Sequence, residues 1–171
     1  MTGGGFEAVD FDRAVAVVSA EPSPQSLVER LGVDWDYLEW LALDASATVL
    51  GGLEDRRGAI VAYGGEAFTA GFLIGAHLDR SREVCVESTQ GRLSRAVDAV
   101  QARGRHAVIA DHCDLAGVAR LETVYSAALV DSIDVPDADG EALRTPMTQL
   151  FEAGLAVGLA LVAERGGAGA R

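Results

Sequence analysis

The sequence predicts an all-α fold in which two copies of a small helical unit, fused in tandem, pack as one compact bundle. Three observations lead there. The stretch FTAGFLIGAHL (68–78) returns as FEAGLAVGLAL (151–161), with Phe, Ala, Gly, Gly and Leu at the same places 83 residues on. Blocks upstream keep nearly the same offset: FDRAVAVVSA (11–20) lies on LSRAVDAVQA (93–102), and Leu38, Glu39 and Ala45 meet Leu121, Glu122 and Ala128. Over 37–80 the ungapped register holds 9 identities in 44 positions; in a chain this rich in Ala, Leu and Gly, the order of the blocks carries more weight than the count. Third, 49% of the 171 residues are hydrophobic and recur at helical spacing, ample for a core. Similarity at a fixed period marks units that bury their apolar faces against one another.

The elements follow in order. A helix is predicted over 8–20, with Val9, Ala14, Val17 and Val18 at helical spacing, stopped by Pro22 and Pro24. A short helix over 24–31 comes next, with Ser23 as N-cap and Pro24 at the first helical position, where its missing N–H is not needed. The third runs over 34–50 from Asp34, with Trp35, Leu38, Leu41, Ala42, Ala45 and Val49 on one stripe. The fourth lies within 59–80. In the second half, helices are expected over 91–103 (stopped by Gly104), over 117–133, and from Pro146, with Thr145 as cap, to Gly166. The units span 8–81 and 90–165, with 1–7 and 166–171 as flexible tails. An α/β alternative places strands near 82–88 and 106–112, where apolar and polar residues alternate. The repeat opposes it, since 106–112 then falls on the helix at 24–31.

Gly71 and Gly75 share one helix face, as do Gly154 and Gly158. A glycine inside a helix costs about 1 kcal/mol relative to alanine. Two such pairs at matched positions predict that the two helices cross there, backbone against backbone, near a pseudo-two-fold axis.

Charge narrows the function. Acidic residues number 26 against 14 basic ones, a net charge of −12, and all the basic residues are Arg. Such a surface repels nucleic acid and anionic membranes, and it suits a salt-rich, halophilic cytoplasm, where screening removes self-repulsion. Cys85 and Cys113 make no disulfide framework, and the N-terminus lacks the basic and apolar regions of a secretory signal. The apolar runs near 67–78 and 153–163 are shorter than the roughly 20 residues that cross a bilayer. These features point to a cytoplasmic protein with no membrane partner.

The densest polar cluster is HAVIADHCDL. His106, Asp111, His112 and Cys113, with His77 elsewhere, are all metal-ligand types and form the candidate metal set. Against it, His106 and His112 are six apart and diverge on a helix, and no CxxC or HExxH pattern occurs. Nucleophile elbows and phosphate-binding glycine loops are absent from the sequence, so no catalytic residue and no cofactor is assigned. Residues 26–41 have a helix-turn-helix-like pattern, but the second helix carries Asp34, Asp36, Glu39 and Asp44 and no basic residue, which phosphates would repel.

The expectation is a non-enzymatic interaction or regulatory module, acting on a protein partner or as a homodimer. The alternatives are a small metal-dependent or small-molecule enzyme using the His/Asp/Cys cluster, and a transcription-associated factor using 26–41 for protein contact.

Overall fold

The computed structural model describes residues 8–50, 57–78, 90–114, 116–123 and 137–167. Eight helices, and no strand, lie among the described residues: α1 (Ala8–Ala20), α2 (Pro24–Arg30), α3 (Trp35–Leu50), α4 (Arg57–His77), α5 (Gln90–Arg103), α6 (Arg105–Ala110), α7 (116–123) and α8 (Asp137–Gly167). The alternative strand at 106–112 is therefore corrected: most of it is α6, which packs on α8 as α2 packs on α4. The companion strand at 82–88 lies outside the described residues.

Local chemistry sets the ends. Asp34 accepts the Tyr37 N–H at 2.9 Å and so caps α3. Asp114 accepts the Ala116 N–H at 2.9 Å and opens α7 in the same way. Gly32 and Gly104 take φ of 72° and 86°, the left-handed conformation that lets the chain leave α2 and α5 sharply. The last helix departs from expectation. It begins at Asp137, not at Pro146, and Pro146 sits inside it. An interior proline removes a backbone bond and costs about 3 kcal/mol. Leu143 and Met147, on either side, are both fully buried, and their burial holds the helix through the defect.

The core is organised on α4 and α8, which pack along each other more extensively than any other pair of described helices. Phe68, Phe72, Phe151, Leu155 and Leu159 are buried between and beside them. At the crossing stand the four glycines. A Cβ on Gly75 would lie 2.5 Å from the Leu155 carbonyl oxygen and 3.1 Å from the Leu159 nitrogen; one on Gly71 would strike the Phe151 carbonyl and lie 2.9 Å from the Leu155 nitrogen. One on Gly158 would strike the Phe72 carbonyl and lie 2.9 Å from the Ala76 nitrogen; one on Gly154 would strike the Phe68 carbonyl and lie 2.9 Å from the Phe72 nitrogen. The contact is reciprocal. Gly71 meets residues 151 and 155, while Gly154, 83 residues on, meets 68 and 72, which are 151 − 83 and 155 − 83. The other helices flank this pair: α1 and α3 against α4, α5 and α6 against α8.

Side chains tie the flanks to the spine at matched heights. The Arg13 guanidinium of α1 donates to the Leu78 carbonyl and pairs with Asp10 at 3.0 Å. Arg92 of α5 donates to the carbonyl of Leu161, the counterpart of Leu78, at 3.2 Å. Ser46 of α3 donates to the Val61 carbonyl at 2.7 Å, over a floor that Gly64 leaves open. Among the described residues, by length and composition alone, one stretch, Ala142–Ala163, could cross a membrane. It is longer than the apolar run expected there because it continues through Pro146. Most of it is buried in the bundle, as a core helix would be.

Candidate functional site

Among the described residues two cavities flank the spine, one beside α4 and one beside α8. The first, of about 700 Å³, lies between α1, α2, α3 and α4. Val15, Val18, Leu43, Ala70, Leu73 and Ile74 give it an apolar floor, and Glu21, Glu39 and Glu66 stand around it. Of these carboxylates Glu21 pairs with Arg30.

The second, of about 340 Å³, lies between α6, α7 and α8. Its wall on α8 consists of Arg144, Thr145, Thr148, Gln149 and Glu152. In the register of the glycine crossing, Thr145, Thr148, Gln149 and Glu152 correspond to Ala62, Gly65, Glu66 and Thr69, which line the first cavity. The two cavities thus occupy equivalent places beside α4 and α8, with different chemistry. Small and apolar residues in one are replaced by hydroxyls and charge in the other.

Behind the second cavity lies a carboxyl pair. Glu122 of α7 is 5% exposed and is hydrogen-bonded to Glu152 of α8. Burial, then the Glu152 charge and the shared hydrogen bond, push the Glu122 carboxyl up to about 8, with Arg105 opposing. For Glu152, burial disfavours the charge. It is outweighed by Arg105, whose Nε donates at 2.7 Å, by His106, whose Nε2 lies at 2.6 Å, and by the Glu122 hydrogen bond, so its carboxyl stays below the usual range. Two acids this close cannot both ionise, and the proton rests on Glu122.

The residues expected to bind metal are dispersed. His77 ends α4, with its Nδ1 at 2.7 Å from the Leu73 carbonyl oxygen. Burial lowers its pKa, the Leu73 bond opposes, and the Arg30 charge adds to the lowering. His106 is taken by Glu152, and Asp111 accepts from Arg103 at 2.6 Å. His112 sits in the turn after α6, its N–H bonded to the Ile109 carbonyl at 3.0 Å. Cys113 is buried just before the capping Asp114, as Val33 is before the capping Asp34. Burial pushes its thiol up to about 12. Among the described residues no three His, Cys, Asp or Glu side chains gather to hold a metal ion. The segment 26–41 folds as α2, a turn at Gly32 and α3, with Leu27, Val28 and Leu38 buried and Asp36, Glu39 and Asp44 outward or at the rim.

Sequence reasoning missed the Glu122–Glu152 pair. One signal was present: Glu39 and Glu122 coincide in the 83-residue register, whereas Thr69 and Glu152 break it. No protein-family model, curated protein or solved structure matches the chain.

Proposed function

We propose that the chain is a non-enzymatic interaction module, built by tandem duplication, whose first-half groove takes an amphipathic helix from a partner protein. The groove between α1 and α3, floored by α4, carries this reading. Its volume of about 700 Å³ is suited to a few large apolar side chains. Leu43 in its wall is 38% exposed, an apolar side chain open to a partner. An apolar floor with an exposed leucine in its wall suits the apolar face of a helix laid in a groove. Glu39 and Glu66 at the rim call for basic residues flanking the partner's apolar face. The reciprocal α4–α8 contact supports the duplication, because a fused pair of like units keeps a self-complementary seam.

The test is calorimetric titration of the full chain with a Leu/Lys amphipathic helical peptide and with its Leu/Glu counterpart. The Leu/Lys peptide is expected to bind. The double substitution Glu39→Gln/Glu66→Gln should weaken it severalfold and flatten its salt dependence; Leu43→Ser should weaken it at any salt. Equal binding of both peptides, or of neither, refutes the reading. So does a dimer that Leu43→Ser dissolves, which would assign the groove to a second copy.

A further inference from the structure

We propose that the second cavity, bounded by Arg105, His106, Arg144, Thr148, Gln149 and Glu152, binds a small anion through a carboxylate or phosphate group. The inference is independent of the partner helix. It starts from what the second half substitutes at equivalent positions. Where the first cavity has Glu66 the second has Gln149, which removes a negative charge, and the carboxylate that Glu152 adds in place of Thr69 is met by Arg105 and His106. Where the first has Ala62 and Gly65 the second has Thr145 and Thr148, which add hydroxyl donors. Arg144 stands at the place of Val61, and Arg105 and His106 close the opposite wall from α6. In a chain of net charge −12, two arginines and a histidine thus share a concave site with one ionised carboxylate.

The carboxyl pair has a part in this. Glu152 takes Nε of Arg105 and so fixes the guanidinium, whose terminal nitrogens are the fork that pairs with an oxyanion. Glu122 is nine-tenths buried behind Glu152 and, holding its proton, adds no negative charge to the wall. A volume of about 340 Å³ admits a short dicarboxylate or a phosphate. The titratable and charged groups around the site are Arg105 and His106 on α6, Glu122 on α7, and Arg144 and Glu152 on α8. An anion placed among them favours protonated Glu122, so binding weakens as pH rises through the range in which Glu122 loses its proton.

The experiment is titration of the full chain with sodium phosphate and, separately, sodium succinate, each at constant ionic strength set with sodium chloride. Saturable binding of either anion at a single site is expected, with lower affinity at pH 9 than at pH 7. Phosphate alone would assign a phosphoryl ligand, succinate alone a carboxylate. Gln149→Glu restores the charge of the first cavity and should weaken binding about tenfold; Glu66→Gln should leave it unchanged. Arg144→Gln, at an exposed position, is the second variant and decides the matter if Gln149→Glu loses its helical circular dichroism. An adventitious ion only, seen as an equal effect of chloride, overturns the proposal, as does unchanged affinity in a folded Arg144→Gln protein.

Discussion

Replacing Gly75 by Ala sets two forces against each other, and the sign of the result decides between them. Alanine is the better helix former by about 1 kcal/mol, so a glycine with free space around it gains stability on substitution. Gly75 has no such space. Its new methyl would stand 2.5 Å from the Leu155 carbonyl oxygen, whereas ordinary contact begins near 3.4 Å, so α8 must retreat by 3.4 − 2.5, about 0.9 Å. A gap of that size forfeits between a quarter and a half of the dispersion energy of each contact it opens. The contacts concerned are those of Phe72, Phe151 and Leu155, all fully buried. Overpacking of this kind costs about 1–3 kcal/mol. After the helix-forming gain of about 1 kcal/mol, we expect a net loss of about 0–2 kcal/mol, or a Tm lower by up to roughly 8 °C. Gly71→Ala and Gly154→Ala should cost more, since each methyl falls on a carbonyl across the same seam. Their double mutant should cost less than the sum, because the first retreat makes room for the second methyl. Gly117, in α7, faces open space, with no atom within 4 Å of the place a methyl would take, and Gly117→Ala is the control that should gain stability. Thermal and urea unfolding followed by circular dichroism give all five values. Stabilisation by Gly75→Ala comparable to that of Gly117→Ala would show that the two backbones do not touch.

Glu122→Gln should alter the pH dependence of stability. The carboxyl titrates near its ordinary value when unfolded and near 8 when folded, so its contribution is complete at low pH and is lost as pH rises to about 8; urea midpoints across that window should fall less steeply in the variant. Arg13→Ala removes the charged donor on the Leu78 carbonyl and the pair with Asp10, and should cost about 1.5–3 kcal/mol in urea unfolding. The buried, protonated Cys113 thiol should resist iodoacetamide in the folded protein and react in urea, as read by peptide mass spectrometry of the segment that carries it.

Much of the helical layout was legible because its signals are local. Pro24 in the first turn of α2, Asp34 before Trp35 and the Gly104 stop all act within one turn of the residue concerned, and α1, α2, α3 and α5 run where those signals put them, although Ser23 stands at the N-cap of α2 without a side-chain bond to it. Pro146 misled because the same residue suits a first turn and, at a cost, an interior position. What settles the matter is the burial of Leu143 and Met147, a tertiary effect. The strand-like alternation at 106–112 gave way for a similar reason: Val108 and Ile109 are both buried against neighbouring helices. The candidate site was harder to read. Glu122 and Glu152 lie on different helices, and Arg105 reaches them from a third, so no spacing in the sequence joins them. Of the candidate metal ligands, His77, His106 and Asp111 each bond to a separate partner, which their spacing in the sequence does not reveal.

The notched seam between α4 and α8 has a corollary for how the molecule tolerates cutting. Because the rods meet through a close backbone contact that each matches to the other, the fit does not depend on the chain that joins them, and separately expressed halves should find one another in solution. Mutations that weaken the intact monomer could therefore release exchanged dimers, in which one molecule's rod lies in the notch of another.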